Sequence, residues 1–488
     1  MSSSTVRSFD IFDTLLARRC IEPQGIFAEV ERRLALPGFA ARRVQAERAV
    51  EATEYQLADI YRWLAGPGGL GDETAQRAMS AEIESELDNA LPVQANLDQL
   101  EADSLLITDM YLPEPVIRAL LRRIGVPAHL ALLRSANGKR SGRVWQTLRD
   151  AGLHCQHLGD HPISDVQQPL AHGMQAQLTR ISEPSTAERA LIQADCPGLA
   201  RALRVARLST PRGALDPRLQ RLQAELNLPM LAIAALCLHA RLVAGDVDTL
   251  VFSSRDTRYL HEVFLACGEA LRFDAAALPA SYWWTSRRAR TEADDAYRAY
   301  CRAHLTGRPL VVDLCGTGAS ITVLRAVLDL PEGGLPMFVC QRLESGPLNE
   351  SLKQRYGIAQ IDAPQALWTD ANFVPNEVLE LLNYVPEGMV LGVREALGGW
   401  VPLRAPIEFD APTLAQVRAQ AEYVGAYCKR LREEISPAVQ HEVVRNLAPL
   451  RNGFAASAGA LAGEINTLLA AWLPAHRRQE QNWAARAQ

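Results

Sequence analysis

The sequence lacks the features that mark secreted, zinc-binding or nucleic-acid-binding proteins. Its nine cysteines stand singly, without a CxxC pair, which argues against a disulfide framework or a zinc site and fits a reducing compartment. The amino terminus, from Met1 to Arg7, has no apolar segment of the kind found in signal peptides. A net charge of -5 gives no indication of a nucleic-acid surface. We therefore expect a cytoplasmic protein that does not bind nucleic acid.

Long apolar runs and low-complexity tracts are also missing. The most apolar stretch, 228–238, is followed by His239 and Arg241, which makes it too short and too interrupted for a membrane span. We expect it to form a buried helix instead. The 488 residues, 48% hydrophobic and 22% charged, are enough for about three ordinary globular domains with large cores.

Four segments within the first 173 residues each place polar side chains after an apolar run. Parallel strands in an open α/β sheet present their carboxyl ends to one crevice, so segments far apart in the sequence can meet there. The four segments are Phe9-Asp10-Ile11-Phe12-Asp13-Thr14-Leu15-Leu16, Leu105-Leu106-Ile107-Thr108-Asp109, Ser135-Ala136-Asn137-Gly138-Lys139 and Gly159-Asp160-His161-Pro162-Ile163-Ser164-Asp165.

The residue types in these segments suit phosphoryl transfer. Asp10 can attack phosphorus and form an aspartyl-phosphate, which divides one difficult hydrolysis into two easier steps. Thr108 can donate a hydrogen bond to the phosphoryl oxygens, and Lys139 can neutralise their charge and that of Asp10. Asp160 and Asp165 lie on a glycine-containing loop and offer the hard oxygen ligands that suit Mg²⁺. The same pair can also serve as helix-capping acids in a turn.

Taken in order, the segments resemble the four motifs of the haloacid dehalogenase-like (HAD) superfamily: a nucleophilic Asp, a Ser or Thr, a Lys and an acidic pair. The resemblance covers about the first third of the chain. It implies catalytic roles for Asp10, Thr108 and Lys139 on a HAD-like Rossmannoid parallel sheet. It also implies a Mg²⁺ site formed by Asp10, the carbonyl of Phe12, Asp160 and Asp165.

One position departs from the motifs of the family's phosphatases. These carry a second Asp two residues after the nucleophile as general acid and base, whereas this chain has Phe12 there and Asp13 where the family usually has Gly. Losing acid catalysis typically costs about 10²- to 10⁴-fold in rate unless the leaving group needs no proton. Three alternatives remain open: Asp13 replaces this acid from an altered turn, the leaving group is already a good one, or the domain binds phosphate without turning it over. The family's dehalogenases also lack the second Asp but use no metal, so Asp160 and Asp165 favour phosphate over halide.

Helical patterns fill the interval between the first two segments. Apolar residues recur at helical spacing over 26–36, 40–63 and 73–91. An insertion over about 20–95 corresponds in position to the helical cap that selects substrate in the family, although it can also be a plain packing module. A capping-box pattern from Ser185 to Glu188 starts a new helix, and we place the first domain boundary there, giving a HAD-like domain over 1–183.

The second half returns to alternating strands and helices, which predicts another parallel sheet covered on both faces over 184–404. Apolar runs at 249–252, 309–313 and 337–340 are the expected strands. From 405 to 488 the chain is expected to be helical, with one stripe of residues four apart that indicates packing. This stripe consists of Tyr423, Tyr427, Leu431 and Ile435.

The second predicted strand leads into Gly316-Thr317-Gly318-Ala319-Ser320, a turn whose backbone N–H groups can bind an anion at a helix start. With Asp313 before it, the turn resembles the loop with which type I phosphoribosyltransferases hold phosphoribosyl pyrophosphate (PRPP). This resemblance implies substrate binding by Asp313, Thr317, Gly318 and Ser320. The family usually has two adjacent acids, but Val312 takes the first position here. A tight turn without a ligand is the alternative.

Two further segments are candidates for the same site. The turn containing Ser254, Arg255 and Asp256 is a candidate for binding pyrophosphate. Arg287 and Arg288 follow aromatic residues and form either a phosphate-binding pair or a solvated basic turn.

The layout of the whole chain is similar to bacterial proteins of surface-polysaccharide assembly. The implied substrates are a phosphosugar or PRPP with a glycan as acceptor, and the implied activities are phosphoribosyl transfer followed by removal of the 5-phosphate. The competing hypotheses are a non-catalytic HAD-like protein that serves as a phosphate-binding or interaction module and a dehalogenase-type hydrolase.

Overall fold

A computed structural model describes residues 5–51, 55–135, 138–271, 278–344, 347–369, 373–407 and 409–472. The chain divides into two compact units. Unit 1 comprises Met1–Pro184 and Arg207–Pro211, and unit 2 comprises Ser185–Ala206 and Arg212–Gln488. The helices that follow residue 405 therefore belong to unit 2.

Unit 1 is built on a five-stranded parallel sheet with the order β5-β4-β1-β6-β7. A separate antiparallel pair, β2 and β3, carries the chain into and out of the helical insertion. The strands are β1 (Thr5–Phe9), β2 (Leu16–Arg18), β3 (Ala90–Pro92), β4 (Leu105–Thr108), β5 (Ala131–Arg134), β6 (His154–Gly159) and β7 (Gln175–Leu178). The helices are α1 (Gly25–Leu34), α2 (Phe39–Val50), α3 (Leu57–Ala65), α4 (Asp72–Asn89), α5 (Gln94–Leu97), α6 (Glu114–Arg123), α7 (Arg143–Asp150) and α8 (Gln168–Ala171), with a π-helical turn at Pro162–Gln167.

The helical insertion differs from the prediction in one place. The single helix expected over 40–63 is two helices, α2 and α3, and residues 52–54 lie outside the described part of the chain. Gln56 and Asp59 form a reciprocal capping box at the start of α3. The N–H of Leu57 donates to the carbonyl of Tyr111 at 3.0 Å, which fixes this start against the rest of unit 1.

Buried ion pairs join the helices of the insertion. Arg43 makes two hydrogen bonds of 2.7 Å to Glu82 between α2 and α4, and both side chains are fully buried. Arg18 of β2 makes two hydrogen bonds of 2.9 Å to Glu86 of α4. Removing one partner of such a pair would leave an uncompensated buried charge, so the first pair holds α2 to α4 and the second holds α4 to β2.

Unit 2 contains a second five-stranded parallel sheet, with the order β12-β11-β10-β8-β9. The strands are β8 (Thr249–Ser253), β9 (Ala280–Trp283), β10 (Pro309–Gly316), β11 (Met337–Arg342) and β12 (Gln365–Thr369), with an antiparallel hairpin of β13 (Val390–Ala396) and β14 (Gly399–Arg404). Leu310, Val311 and Val312 of β10 are fully buried, as expected for a central strand covered on both faces. Both sheets agree with the predicted α/β class.

Helices cover the second sheet and continue to the end of the described chain. They are α9 (Thr186–Gln193), α10 (Pro197–Ser209), α11 (Pro217–Leu222), α12 (Leu228–Val243), α13 (Arg258–Ala270), α14 (Arg287–Thr291), α15 (Asp295–His304), α16 (Ala319–Val327), α17 (Pro347–Tyr356), α18 (Asn376–Leu382), α19 (Ala411–Glu434), α20 (Pro437–Arg445) and α21 (Leu447–Gly459), followed by Ala462–Trp472. The stripe that includes Tyr423, Tyr427 and Leu431 is buried, so it packs as expected.

The apolar stretch expected at 228–238 is part of a longer helical run, Pro217–Val243. By length and composition alone this run could cross a membrane, but 78% of its most apolar window is buried inside the protein. The bent pair Leu447–Gly459 and Ala462–Trp472 meets the same criterion only if it is counted as one span. A mostly buried helix of this kind is typical of a protein core.

Candidate functional site

The polar residues of unit 1 collect where the order of the strands reverses. The chain runs from β1 through β4 to β5 on one side of the sheet and then continues with β6 and β7 on the other side. Ligand sites in open α/β sheets form at this reversal, outside the carboxyl ends of the strands. Asp10 directly follows β1 and Asp160 directly follows β6, and the N–H of Asp10 donates to the carbonyl of Leu158 at 2.9 Å.

Four of the predicted residues meet at this point. Asp10, Asp160 and Asp165 each offer a carboxylate oxygen, and these atoms lie within 4.8 Å of one another. The ammonium group of Lys139 donates to Oδ1 of Asp10 at 2.5 Å and to Oδ1 of Asp165 at 2.7 Å. Lys139, Asp10 and Asp165 are buried, whereas Asp160 is partly exposed and leaves the cluster open on its side.

The cluster has more negative than positive charge, because three carboxylates face one ammonium group. Burial and the neighbouring carboxylates raise the pKa of Asp10 despite Lys139, and burial together with Asp13 and Asp165 raises the pKa of Asp160 to about 6. Burial alone would lower the pKa of Lys139, but Asp10 and Asp165 raise it. Carboxylates so close together repel unless a cation or a proton lies between them, so the donor set fits a hard divalent cation.

Asp165 is held by hydrogen bonds from several directions. Its Oδ1 also lies 3.2 Å from Nε2 of His157, and its Oδ2 accepts the N–H of His161 at 3.0 Å. Burial raises the pKa of Asp165, but the hydrogen bond from His157 and the charge of Lys139 outweigh burial and lower it well below its usual value. A Cβ on Gly159 would lie 2.4 Å from Cβ of Asp165, so only glycine allows this approach.

Asp109 holds the loop that carries Lys139. Its carboxylate accepts the N–H of Lys139 at 3.1 and 3.0 Å and that of Arg140 at 3.4 Å. Residues 136 and 137 of this loop lie outside the described part of the chain. Asp109 has no role in the sequence-based prediction, although its position directly after Thr108 is a usable signal.

Thr108 and Thr14 are two threonines of this region that carry hydroxyl groups. Thr108 ends β4, which pairs with β1, and its buried Oγ1 accepts the N–H of Met110 at 3.2 Å. Thr14 is buried, and its hydroxyl lies 3.5 Å from Oδ2 of Asp10. Thr108 therefore lies at the end of the neighbouring strand, as the sequence predicts.

The turn after Asp10 has Phe12, not an acid, two residues after Asp10, and Asp13 follows it. Phe12 is buried in the hydrophobic core of unit 1, and the guanidinium carbon of Arg18 lies 5.2 Å from its ring centre. Asp13 has a φ of 55°, and its carboxylate lies 3.8 Å from the guanidinium of Arg18. The carbonyl of Phe12 makes no hydrogen bond within the described residues, so this predicted ligand atom has no competing partner.

In unit 2 the strand order reverses between β8 and β10, and the predicted polar residues again lie near this reversal. Asp313 of β10 is buried, accepts a hydrogen bond from Arg290 at 3.3 Å and accepts the N–H of Leu314 at 2.9 Å. Burial raises the pKa of Asp313 to about 6. The attraction of Arg290 lowers this pKa and the charge of Asp256 raises it, but burial is the largest effect. Asp256 therefore lies close enough to Asp313 to act on its charge.

The loop after β10 brings Thr317 and Gly318 to the start of α16. Gly318 has a φ of 87°, and a Cβ there would lie 2.2 Å from the carbonyl oxygen of Asp362, so this position requires glycine. The hydroxyl of Thr317 donates to Oδ1 of Asn349 at 3.0 Å and accepts the N–H of Ala319 at 3.3 Å. Ser320 lies in the first turn of α16 and is partly exposed.

The arginines of unit 2 are arranged differently from the prediction. Arg255 lies 3.6 Å from Asp256, as the shared turn suggests. Arg287, predicted to bind substrate, is exposed, and the structure does not bring it to Asp313. The buried Arg290 takes that place because Ser286 caps α14 and the helix turns this later side chain inward. Arg288 pairs with Glu292 on the surface at 3.0 Å.

Known proteins provide no family assignment for this chain. No protein-family model matches it, and a search of curated proteins found no match. Its function is therefore inferred from the two sites.

Proposed function

We propose that unit 1 is a Mg²⁺-dependent phosphohydrolase of the HAD type that acts on a phosphosugar in the cytoplasm. The observation that carries this proposal is the convergence of Asp10, Lys139, Asp160 and Asp165 at one reversal of strand order. A nucleophilic carboxylate, a fixed cationic group and an acidic pair are the parts that phosphoryl transfer requires.

In the proposed reaction, an oxygen of Asp10 attacks phosphorus while the bond between phosphorus and the leaving oxygen breaks. Lys139, already 2.5 Å from Asp10, lowers the pKa of that carboxylate against the effect of burial and stabilises the charge on the phosphoryl group. Thr108 donates a hydrogen bond to a phosphoryl oxygen. Water then attacks the aspartyl-phosphate and releases phosphate, which restores Asp10.

The cation would be held by Asp10, Asp160, Asp165 and the carbonyl of Phe12. When bound, Mg²⁺ offsets the negative charge of the phosphoryl oxygens and of the carboxylates. The raised pKa values of Asp10 and Asp160 agree with this assignment, because burial and, after it, the neighbouring carboxylates disfavour the ionised forms that a bound cation would stabilise.

The leaving oxygen also needs a proton, and Asp13 is the candidate donor. Its carboxylate is the largest charged contributor to the raised pKa of Asp160, so it lies beside the cation site. Its side chain is 34% exposed, so the carboxylate is accessible to water. We therefore assign proton transfer to Asp13 in place of an acid at Phe12.

Hydrolysis of p-nitrophenyl phosphate by the full chain, with and without Mg²⁺, tests the proposal. We expect turnover that requires Mg²⁺ and is lost in the Asp160→Ala variant. Arg288→Ala, which removes only a surface ion pair in unit 2, is the matched control and should keep wild-type activity. No hydrolysis with or without Mg²⁺ would leave the second hypothesis, an interaction module, which the burial of Phe12 in the core favours.

For unit 2 we propose binding of PRPP, coupled to phosphoribosyl transfer to a glycan acceptor in surface-polysaccharide synthesis. The support comes from the buried Asp313 within β10, and from the hydroxyl of Thr317 and the start of α16 at Gly318, which directly follow the same strand. Arg255 and Asp256 follow the neighbouring strand β8 and would bind the pyrophosphate and its cation. Ser320 would donate to the 5-phosphate from the first turn of α16.

Calorimetric titration of PRPP with Mg²⁺ into the full chain tests this second proposal. We expect binding to weaken by at least about tenfold in Asp313→Ala and Thr317→Ala, because each loses a polar contact worth about 1.4 kcal/mol or more. Arg287→Ala is the matched control, since this side chain is exposed and lies outside the group around Asp313. Equal affinity in all four proteins would contradict the proposal.

A further inference from the structure

Ser8 and His157 are two buried polar side chains behind the cation site, and neither takes part in the proposed reaction. They lie opposite each other in the register of β1 and β6, and both are fully buried. Ser8 Oγ lies 3.0 Å from Nδ1 of His157, and Nε2 of His157 lies 3.2 Å from Oδ1 of Asp165. We propose that His157, oriented by Ser8, is a positioning residue that sets Asp165 for binding a divalent cation. This inference rests on the metal-dependent function proposed for unit 1.

The hydrogen-bond partners determine which nitrogen of His157 carries the proton. An ionised carboxylate only accepts hydrogen bonds, so Nε2 must donate to Asp165. A neutral ring then has a lone pair on Nδ1, which accepts the hydroxyl proton of Ser8. Trp145 packs edge-on against the ring at a centroid distance of 4.7 Å and restricts its rotation.

The two oxygens of Asp165 are used unequally. A carboxylate has about four lone pairs to accept hydrogen bonds or bind a cation. Oδ1 accepts hydrogen bonds from both Lys139 and His157, whereas Oδ2 accepts one from the N–H of His161. Within the described residues, Oδ2 therefore keeps a lone pair for a cation. The contact with His157 fixes the plane of the carboxylate and thereby the direction of that lone pair.

Titration of the full chain with Mg²⁺, followed by melting temperature, tests the role of His157. In His157→Phe we expect the Mg²⁺ concentration at half-maximal shift to rise by about 10- to 100-fold, the usual effect of losing a hydrogen bond to a metal ligand. His157→Gln keeps an N–H donor and should restore most of the affinity. Ser8→Ala should move the half-maximal concentration in the same direction by a smaller factor.

Two controls separate positioning from general destabilisation. His239 of unit 2 is also buried, and its Nε2 lies 2.7 Å from the carbonyl oxygen of Phe264. His239→Gln should lower the melting temperature without changing the half-maximal Mg²⁺ concentration. Asp160→Ala shows how much Mg²⁺ still changes the melting temperature when the cation site itself is lost.

The possible outcomes distinguish this inference from the proposed function. If Mg²⁺ raises the melting temperature of the wild type no more than that of Asp160→Ala, both the metal-dependent function and the inference are overturned. The role of His157 alone would be overturned by a different result. In that case Mg²⁺ raises the melting temperature of the wild type more than that of Asp160→Ala, but the half-maximal Mg²⁺ concentration is the same in the wild type and in His157→Phe. If His157→Phe does not fold, Ser8→Ala decides: an unchanged half-maximal concentration contradicts the inference, and a raised one supports it.

Discussion

Asp13 occupies a left-handed backbone conformation that few side chains tolerate. Its φ of 55° explains why a glycine is the usual residue at such a turn, and aspartate is among the side chains that accept this conformation at low cost. The hydroxyl of Ser182 donates to the carbonyl of Asp13, which helps to hold the turn. The backbone of Asp13 therefore shapes the turn, and this role is separate from the one proposed for its carboxylate.

Paired substitutions can separate these two roles of Asp13. Asparagine and glycine both accept a positive φ, so Asp13→Asn and Asp13→Gly should melt close to the wild type. We expect the rate of hydrolysis of sugar phosphates to fall by about 10²- to 10⁴-fold in both variants. For aryl phosphates, whose leaving group needs no proton, the rate should fall by less than about tenfold. Equal losses on the two substrate classes would contradict proton transfer by Asp13.

The raised pKa of Asp313 predicts how the stability of the fold changes with pH. Its pKa is about 6 in the folded protein, mainly because of burial, and about 3.9 in an unfolded chain. The folded state holds the proton of Asp313 more tightly than the unfolded state does, so protonation of Asp313 stabilises the fold. This contribution to the free energy of unfolding is complete below about pH 4 and is lost as the pH rises through 6. The wild type should therefore lose up to about 3 kcal/mol of unfolding free energy relative to Asp313→Asn between pH 4 and 7.

Urea unfolding of the wild type and Asp313→Asn at pH 4.5 and pH 7.5 measures this difference. A difference between the two proteins that stays constant with pH would contradict the raised pKa of Asp313.

At the scale of elements, the passage from β6 into the π-helical turn depends on Gly159. Alanine there would bring a Cβ within 2.4 Å of Asp165, so the turn would have to shift. We expect Gly159→Ala to lower the free energy of unfolding by about 1–3 kcal/mol, as overpacking usually does, and to weaken Mg²⁺ binding. Gly425 of α19 is the control, because a Cβ there meets open space.

Urea unfolding and Mg²⁺ titration of both variants check this prediction. Gly425→Ala should raise the free energy of unfolding by about 0.5–1 kcal/mol and leave Mg²⁺ binding unchanged. A Gly159→Ala variant as stable as the wild type, with unaltered Mg²⁺ affinity, would show that the turn adapts.

Local patterns predict the strands that lead to the candidate sites, but they miss β9 and β12 of the second sheet and one break in the helical insertion. The apolar runs before Asp10, Thr108 and Asp313 are strands, and each is followed by polar residues at a sheet edge. The break between α2 and α3 was missed because one of its determinants is the long-range hydrogen bond from Leu57 to Tyr111. Helical periodicity contains no information about such a contact.

The same limit applies to the residues around the two sites. Arg290 could not be distinguished from Arg287 without knowing which side of the short helix α14 faces Asp313. His157 lies in the middle of β6, and its contact with Asp165 depends on the turn that follows the strand. Residue type and position along a strand thus predict the main groups of a site but not the side chains that orient them.

At the scale of the whole molecule, the chain combines two parallel sheets, each with its polar residues at a reversal of strand order. The order in unit 2 is of the 2-1-3-4-5 type when its strands are numbered along the chain, and that in unit 1 is of the 3-2-1-4-5 type. Both orders create a crevice for a ligand, so the proposed hydrolase and PRPP-binding roles each have a suitable location.

The central claim is that Asp10 becomes phosphorylated during Mg²⁺-dependent turnover. The most direct measurement is mass spectrometry of peptides from protein that is acid-quenched during hydrolysis of p-nitrophenyl phosphate. We predict a phosphoryl group on Asp10 in the wild type with Mg²⁺, and none without Mg²⁺ or in Asp10→Asn, whose melting temperature should stay near that of the wild type. Turnover by Asp10→Asn, or wild-type turnover with phosphate on another residue, would contradict the assignment.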